Sequence, residues 1–175
     1  MVTGTTGSGK TTLARDIAQR TGRVHIDLDD HHWLPGWQMR TRDDFRARVA
    51  AVLDGVPHGR QWVVSGNYSA VQDIVWPRAH TLLALDYAAA RVFWQLLRRT
   101  LARCLWRQPV CNGNIETFDK SLLSKDSILL WFFKTHWRRQ RTLRALIENP
   151  GVYAHLRIVR LRSPQQARQW LTTLI

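Results

Sequence analysis

The chain has 175 residues and a hydrophobic fraction of 45%, enough for one folded domain with a substantial core, and this composition argues against disorder. No apolar run reaches the roughly 20 residues that cross a bilayer, so we expect no membrane partner. The formal net charge is +13, and most of the basic residues are arginines. Such a charge attracts polyanions, either nucleoside triphosphates or nucleic acid, and does not by itself choose between them.

The segment 4–11, Gly-Thr-Thr-Gly-Ser-Gly-Lys-Thr, fills every fixed position of the phosphate-binding pattern G-x-x-x-x-G-K-[ST]. Its glycines let consecutive N–H groups point into one concavity, and the following helix adds the positive end of its dipole. Lys10 is placed to reach the outer phosphates, and the Thr11 hydroxyl is placed to hold magnesium. A glycine-rich turn that matches by chance is the alternative, but residues 12–18 continue as an amphipathic helix capped by Gly22. The expected nucleotide-binding residues here are Gly4, Thr5, Thr6, Gly7, Ser8, Gly9, Lys10, Thr11 and Thr12.

The strand that should lead into this loop has only residues 1–3, against a usual strand of roughly five residues. Either the strand is short, or the natural start lies upstream of Met1. The loop follows too soon after Met1 for a signal peptide, so we expect a cytoplasmic protein. In a reducing compartment Cys104 and Cys111 are expected to be free thiols rather than a disulfide or a metal site.

Two acids follow the next predicted strand, which spans Val24 to Asp27. Asp27 and Asp29 are two residues apart at a strand end, so both carboxylates can point toward the γ-phosphate region. One could hold a magnesium-bound water, and the other could accept a proton from an acceptor hydroxyl or orient it. Solvated loop acids or a helix cap are the alternative. Residues 28–37 read as a loop, and the adjacent His31 and His32 make a zinc site unlikely because they are not spaced to share a helical face.

Strands and helices then alternate to the end of the chain. Thr41 and Ser163 read as helix N-caps, closed into capping boxes by Asp44 and Gln166. The other predicted elements are strands at 62–64, 81–86 and 155–161, long helices at about 88–107 and 126–147, and a mobile flap at about 104–125. Such alternation predicts a parallel sheet covered by helices on both faces, with ligands at the carboxyl ends of the strands. We therefore expect Asp27, Gly66 and Asp86 to gather near Lys10.

The two long helices carry arginines three and four residues apart, which gives each helix a basic face. One interpretation is a lid whose arginines stabilise a transferring phosphoryl group. The alternatives are a nucleic-acid surface and a plain solvated face. Arg99 and Arg103 are the preferred lid residues, because they follow the apolar face of their helix toward the flap.

Together, the phosphate loop, the Asp27–Asp29 pair, the Gly66-Asn67-Tyr68 turn and the arginine-bearing flap resemble the adenylate-kinase-like branch of small P-loop kinases. More closely, the segments 31–37, 62–68 and 85–87 resemble bacterial topology modulation proteins, and this resemblance covers most of the chain. It implies an α/β P-loop NTPase fold of three layers, with a parallel five-stranded sheet in the order 2-3-1-4-5 and a helical lid. It also implies ATP and Mg²⁺ as cofactors.

The resemblance carries roles onto particular residues. In similar kinases of the shikimate type, the first acid of the pair serves magnesium and the second meets the acceptor, which implies these roles for Asp27 and Asp29. Adenylate kinases have an aspartate where this chain has Ser65, which weakens a nucleoside-monophosphate kinase interpretation. By the same analogy Arg99 contacts adenine or phosphates, and Arg162 borders the adenine. Residues that would face the acceptor are Trp33, Arg40, Asn67, Tyr68 and Arg78.

The sequence thus predicts a single domain, residues 1–175, that acts as an ATP-dependent kinase of an unidentified small molecule. Its predicted catalytic residues are Lys10, Asp29, Arg99 and Arg103, with Thr11 and Asp27 at the metal. A nucleotide-regulated nucleic-acid-binding protein is the main alternative, and an ATP binder with little turnover is another. Nucleic-acid binding through six or more phosphates would weaken about a thousandfold between 50 and 200 mM salt.

Overall fold

Five parallel strands form one sheet in the computed structural model, which describes residues 1–124 and 127–174. Along the sheet they lie in the order β2-β3-β1-β4-β5, as the resemblance to small P-loop kinases implied. The central strand has only three residues, and it pairs with β3 through Val2 and Ser65 and with β4 through Val2 and Leu83. The strands are β1 (Val2–Gly4), β2 (Val24–Asp27), β3 (Trp62–Ser65), β4 (Thr81–Leu85) and β5 (Arg157–Leu161).

The helices begin where side-chain caps satisfy their first amide groups. Thr41, Ser127 and Ser163 each accept a hydrogen bond from the amide three residues on, at 3.2 Å. The predicted capping box at the last helix differs in one bond, because the Gln166 side chain accepts from Arg162 N rather than from the cap residue. The helices are α1 (Lys10–Thr21), α2 (Leu28–His32), α3 (Arg42–Asp54), α4 (Gln72–Val75), α5 (Ala89–Leu105), α6 (Ile128–Glu148) and α7 (Pro164–Thr172).

Two apolar clusters cover the two faces of the sheet. Neighbouring strand residues divide between them, with Val63 in one and Val64 in the other, because successive side chains of a strand point to opposite faces. The first cluster contains buried residues of α1, α5, α6 and α7, and the second contains buried residues of α3 and α4. The protein therefore has three layers, and the carboxyl ends of all five strands open onto the same edge.

Residues 28–37, predicted as a loop, contain α2 and a short 3₁₀ turn at Pro35–Trp37. The loop prediction was wrong because the Asp27 carboxylate accepts a hydrogen bond from Asp29 N at 3.2 Å, which caps a helical turn directly after β2. None of the helices within the described residues combines the length and the apolar character needed to cross a membrane.

The predicted flap contains regular structure. After α5 ends, Pro109–Val110 pairs antiparallel with Asn114–Ile115, and a π-helical turn follows at Asp119–Leu123. Residues 109–115 are called the hairpin below. Part of the flap prediction falls on residue 125, which lies outside the described residues.

The apolar side of α5 also differs from the prediction. The hydrophobic pattern of residues 88–107 predicts that Leu101 and Leu105 are buried, but they are 40% and 65% exposed. The buried row instead follows Val92, Leu96, Thr100 and Cys104, every fourth residue along the helix. The buried row includes a threonine and a cysteine, which a hydrophobic pattern does not select. The pattern therefore chose the leucines one residue further along the chain, which lie about 100° away around the helix.

Candidate functional site

The segment 4–11 forms the connection between β1 and α1 at the carboxyl edge of the sheet. Gly7 has φ +85°, and a Cβ there would lie 2.8 Å from Leu96 Cβ of α5. A Cβ on Gly4 would lie 2.8 Å from Ser8 Oγ and 2.9 Å from Leu85. Glycine is therefore required at both positions, because β4 and α5 pack directly against the loop. Ser8 Oγ is buried and has no hydrogen-bond partner among the described residues.

Lys10 lies in a cluster of charges at this loop. Its Nζ donates a hydrogen bond to the Thr5 carbonyl at 3.0 Å. Burial lowers the pKa of Lys10 to about 8, and the neighbouring Arg139 and Arg99 lower it further while Asp29 opposes them. An anionic ligand would restore the preference for the charged ammonium, so the side chain is prepared to bind phosphate.

Thr11 and Asp27 come together beside this lysine. Burial raises the pKa of Asp27 to about 6, and the Asp29 charge adds to the rise, whereas a hydrogen bond with the Thr11 side chain opposes it. Hydroxyl and carboxylate oxygens are the ligands that Mg²⁺ prefers, usually with phosphate oxygens and water completing its shell. No group of three or more His, Cys, Asp or Glu side chains suited to a metal occurs among the described residues.

The Asp29 side chain is hydrogen-bonded to a residue in the turn after the neighbouring strand β3. Tyr68 Oη donates to Asp29 Oδ1 at 2.5 Å, and burial together with Asp29 raises the pKa of this phenol. The Tyr68 ring packs against Phe45, and the His32 ring lies 4.7 Å from it. This aromatic packing fixes the phenol, and the phenol in turn fixes the orientation of the Asp29 carboxylate.

Two arginines from different helices approach the loop. Arg99 Nε of α5 is buried without a hydrogen-bond partner among the described residues, and burial followed by the Arg103 charge lowers its pKa. Arg139 of α6 lies over the Trp131 ring, 5.5 Å from its centroid, and burial lowers its pKa as well. An unpaired, partly desolvated guanidinium is costly, and a polyphosphate would satisfy it. The sequence analysis did not single out Arg139, since every basic residue of α6 looked alike before packing was known.

Arg103, predicted as a lid residue, forms an ion pair with Glu116, the residue that follows the hairpin. Its Nη1 donates to Glu116 Oε1 at 2.8 Å, and Glu116 is only 8% exposed. The second carboxylate oxygen of Glu116 is buried without a partner in the described part of the chain. Glu116 is thus a further residue of the site that the sequence analysis missed, and a lone acid in a flap gave no pattern that could have indicated it.

The hairpin is hydrogen-bonded to the segment after β2. Asn112 Nδ2 donates to the carbonyls of Asp30 and Trp33 at 2.7 and 2.6 Å, while Asn114 accepts from Trp37 N at 2.8 Å. Burial, followed by the Asp29 charge, raises the pKa of Cys111 to about 12, so the tip of the hairpin lies close to the acids. The structure therefore has the flap closed over this side of the site.

Two of the predicted acceptor residues, Trp33 and Arg40, are hydrogen-bonded to the segment after β2, each through its backbone N–H at 3.0 Å. Trp33 packs edge-on against Trp37 at 5.5 Å, and Asn67 Nδ2 donates to the Gly4 carbonyl at 3.4 Å. Arg40 pairs with Asp44 at 2.7 Å, and its Nε is buried without a partner within the described residues. Arg162 is exposed at the end of β5 on the same edge.

Arg78 is a correction to the sequence analysis. It pairs with Asp54 at 2.6 Å, three residues before β4 begins, and therefore lies at the amino edge of the sheet. In a parallel sheet this edge is opposite the one that holds the phosphate loop. The prediction that Arg78 faces the acceptor is therefore wrong. A residue that precedes a strand lies at the amino edge of the sheet, whereas the phosphate loop lies at the carboxyl edge.

Asp86, expected near Lys10, has another role. Its side chain is 1% exposed and accepts hydrogen bonds from Arg160 Nη2 at 2.5 Å, Arg144 Nε at 3.0 Å and Gln140 Nε2 at 2.8 Å. Burial alone would raise its pKa, but the bonds from Arg144 and Arg160 hold it below the ordinary value. This Asp86 cluster joins β4, β5 and α6, so its carboxylate is already used inside the structure.

No protein-family model matches the chain, and no curated protein matches it either. Among solved structures, the chain is similar to a gluconokinase from Sinorhizobium meliloti 1021, with 18% identity, a TM-score of 0.48, and 99% of this chain and 90% of that chain covered. It is also similar to a shikimate kinase from Bacteroides thetaiotaomicron, with 15% identity, a TM-score of 0.47, and 99% and 93% covered. At these values the similarity says nothing about a reaction, which must be inferred from the site. The resemblance to topology modulation proteins stays a prediction.

Proposed function

We propose that the protein is a phosphotransferase that moves the γ-phosphoryl group of ATP to a small-molecule acceptor. The observation that carries the proposal is the convergence on one phosphate loop of Lys10, the Thr11–Asp27 pair and the Tyr68–Asp29 pair. A loop that only bound nucleotide would need the lysine and the hydroxyl. It would not need a second carboxylate held in a fixed orientation by a buried phenol.

The loop supports the donor side of this proposal. Tight packing of Gly4 and Gly7 keeps the backbone close enough for its N–H groups to surround phosphate oxygens. Thr11 and Asp27 would hold Mg²⁺, which when bound neutralises charge on the outer phosphates. Lys10 and Arg99 would bind the same oxygens, and the depressed pKa of Lys10 would return toward its usual value in their presence.

The acceptor side rests on Asp29. An acceptor hydroxyl would donate its hydrogen bond to Asp29 Oδ2, since Oδ1 is occupied by Tyr68. The acceptor oxygen then bonds to the γ-phosphorus as the bond to the β,γ-bridging oxygen breaks, ADP leaves, and the hydroxyl proton passes to Asp29. Arg139 and Arg99 would stabilise the charge on the transferring group, and the closed hairpin would exclude water.

A screen of phosphoryl acceptors tests the proposal. Purified protein with ATP and Mg²⁺ is incubated with sets of sugars, sugar acids, nucleosides and nucleotides, and ADP release is measured. Lys10→Ala should abolish turnover, and Asp29→Asn should reduce phosphoryl transfer while calorimetry finds nearly unchanged ATP affinity. Lys120→Ala, which removes an exposed lysine, serves as the matched control and should behave as wild type.

Two results would contradict the proposal. ATP binding without ADP release in any acceptor set would favour a nucleotide-binding protein with little turnover. Equal loss of ATP affinity and transfer in Asp29→Asn would assign Asp29 a structural role instead. The nucleic-acid alternative is tested separately, because binding through many phosphates would fall steeply with salt whereas turnover would not.

A further inference from the structure

The outward side of α5 exposes large apolar side chains. Trp94 is 61% exposed and Leu105 65%, and Leu101 lies between them on the same side of the helix. At 3.6 residues a turn these three residues and the exposed Arg91 and Arg98 fall within about 80° of the helix circumference. This α5 outer face is a mixed apolar and basic surface on the side of the helix that points away from the core.

The exposed surface continues onto α6. Trp94 contacts Phe93 at a centroid distance of 6.1 Å, Phe93 contacts Phe133 of α6 at 5.4 Å, and Phe133 stacks on Trp137 at 6.2 Å. Phe133 and Trp137 are 50% and 46% exposed. Contiguous exposed apolar surface of this kind is uncommon on a monomer and marks a place where the protein contacts something else.

The charge on this surface has a single sign. The α5 sequence contains no acidic residue, and Glu148 at the very end of α6 is the single acid of that helix. Exposed basic residues lie among the apolar ones, with Arg91 and Arg98 on α5 and Lys134 and Arg138 on α6. A second copy docked face to face would bring these cations together without acids to compensate them, which disfavours self-association.

The aliphatic residues distinguish between the remaining partners. Single-stranded nucleic acid would use the aromatic rings and arginines, but Leu101 and Leu105 offer no stacking surface for a base. A bilayer uses every exposed group, because leucine and aromatic side chains enter the acyl boundary while arginine side chains reach phosphate headgroups. Negative lipids also match the exclusively positive charge.

We propose that the α5 outer face, with Phe133 and Trp137 of α6, docks the protein on the surface of an anionic phospholipid bilayer. This departs from the expectation, based on the lack of a spanning segment, that the chain has no membrane partner. The residues of α5 that face the phosphate loop, such as Leu96 and Arg99, lie on the inner side of the helix. Docking therefore leaves the nucleotide site uncovered.

Vesicle sedimentation tests the proposal with full-length protein. Vesicles of phosphatidylcholine containing roughly a third phosphatidylglycerol should bind it, whereas pure phosphatidylcholine vesicles should bind far less. Arg91→Gln combined with Arg98→Gln should weaken binding roughly 30-fold, since each surface-bound arginine contributes about fivefold. The triple variant Trp94→Ser, Leu101→Ser, Leu105→Ser should weaken it on the order of a hundredfold.

The matched control removes the same charge elsewhere. Arg60→Gln combined with Arg157→Gln changes two exposed arginines near the amino edge of the sheet and should bind anionic vesicles nearly as wild type does. Far-ultraviolet circular dichroism and ATP affinity verify that each variant is folded. Wild-type binding should also weaken at about 1 M salt, where the Debye length falls to about 3 Å.

Three outcomes would overturn the proposal. Failure of the wild type to sediment with anionic vesicles is the first, and vesicle binding that the triple variant retains is the second. The third is an alternative occupant. Single-stranded DNA binding lost in the same variants without vesicle binding would assign the face to nucleic acid, and a dimer in sedimentation equilibrium that the triple variant abolishes would assign it to self-association.

Discussion

Tyr68 and Asp29, which come from the turns after two neighbouring strands, are joined by a hydrogen bond of 2.5 Å between Oη and Oδ1. The phenol is the donor, and its raised pKa keeps it protonated at every physiological pH. The bond fixes one oxygen of the carboxylate and so determines where the other points. It is the contact that makes Asp29 a directed group rather than a free loop acid.

Tyr68→Phe removes this donor and keeps the ring packing against Phe45 and His32. Loss of a hydrogen bond to a charged group costs about 1.5–3 kcal/mol, so we expect kcat to fall roughly 10- to 100-fold. ATP affinity should stay within about threefold of wild type, because in the proposed reaction Tyr68 and Asp29 act on the acceptor and not on the nucleotide. Steady-state kinetics on the acceptor found in the screen would measure this, and an unchanged kcat would refute the positioning role.

The pH dependence of ATP binding follows from Lys10. Its pKa of about 8 in the free protein should rise when phosphate oxygens contact the ammonium, so binding takes up a proton above that pH. ATP affinity should therefore fall by about tenfold between pH 7 and pH 9. Calorimetry in buffers of different ionisation enthalpy measures the proton uptake. Lys10→Ala should bind weakly with no such pH dependence, and persistence of the dependence in that variant would assign it to another group.

Asp27→Asn should stabilise the fold. The wild-type pKa is raised to about 6 in the folded protein, so the unfolded chain binds fewer protons between pH 4 and 6, and stability is lost as the pH rises through that window. Burying the charged Asp27 carboxylate lowers the free energy of unfolding of the wild type by up to about 3 kcal/mol at pH 7.5 and by only about 1 kcal/mol at pH 4.5. The uncharged asparagine avoids this loss. Urea unfolding at both pH values measures the gain.

The exposed neighbour Asp30 provides the control for that measurement, since Asp30→Asn removes an equal charge at the surface and should change stability little. Asp27→Asn should also raise the Mg²⁺ concentration needed for half-maximal ATP binding, whereas Asp30→Asn should not. If Asp27→Asn is more stable but needs no more Mg²⁺ than the wild type, the Asp27 carboxylate is a buried charge that does not bind the metal. That result would contradict the proposal that Asp27 is a Mg²⁺ ligand.

Arg139→Gln tests the arginine that packing, rather than sequence, identified. We expect kcat to fall at least about a hundredfold, because a guanidinium that stabilises a transferring phosphoryl group is worth several kcal/mol. Arg138→Gln, at the exposed adjacent position, removes the same charge and should leave kcat nearly unchanged. Similar losses in both variants would mean that the net charge of α6 matters and not the position of Arg139.

The hairpin's closure depends on Asn112, whose φ of +63° suits asparagine or glycine. Asn112→Gly keeps that backbone conformation and removes the two bonds to Asp30 and Trp33, so the hairpin should open more often. Cys111, now shielded with a pKa of about 12, should then be alkylated faster, as followed by peptide mass spectrometry. Asn112→Ala adds backbone strain and should react faster still. Unchanged Cys111 reactivity in both would show that other contacts hold the hairpin.

The sequence predicted the phosphate loop and the strands because both are short-range patterns, whereas the order of the strands in the sheet was implied by the resemblance to small P-loop kinases. The loop depends on glycines at fixed spacing, and the strands are short apolar runs that end at functional groups. Asp27, Thr11 and Lys10 could be grouped in advance because the carboxyl ends of parallel strands share one edge.

The predictions that the structure contradicts concern residues whose environment depends on long-range packing. Asp86 follows a strand as Asp27 does, but Arg144 and Arg160, which reach it from α6 and β5, lie 58 and 74 residues away in the chain. Arg139 could not be told from its basic neighbours until α6 was packed against the sheet. The exposed Leu101 and Leu105 were misassigned because an apolar residue on a helix indicates burial only when a partner surface exists.

The Asp86 cluster has a consequence for how the arginines near the phosphate loop are positioned. Gln140 of the cluster anchors α6 to the sheet one residue away from Arg139, so the stretch of helix that carries Arg139 is fixed relative to the sheet. Arg103 instead takes its orientation from Glu116 beside the hairpin. The position of Arg139 therefore depends on a helix tied to the sheet, whereas the orientation of Arg103 depends on a contact with the flap, so a mutation in the flap is expected to disturb Arg103 and leave Arg139 in place.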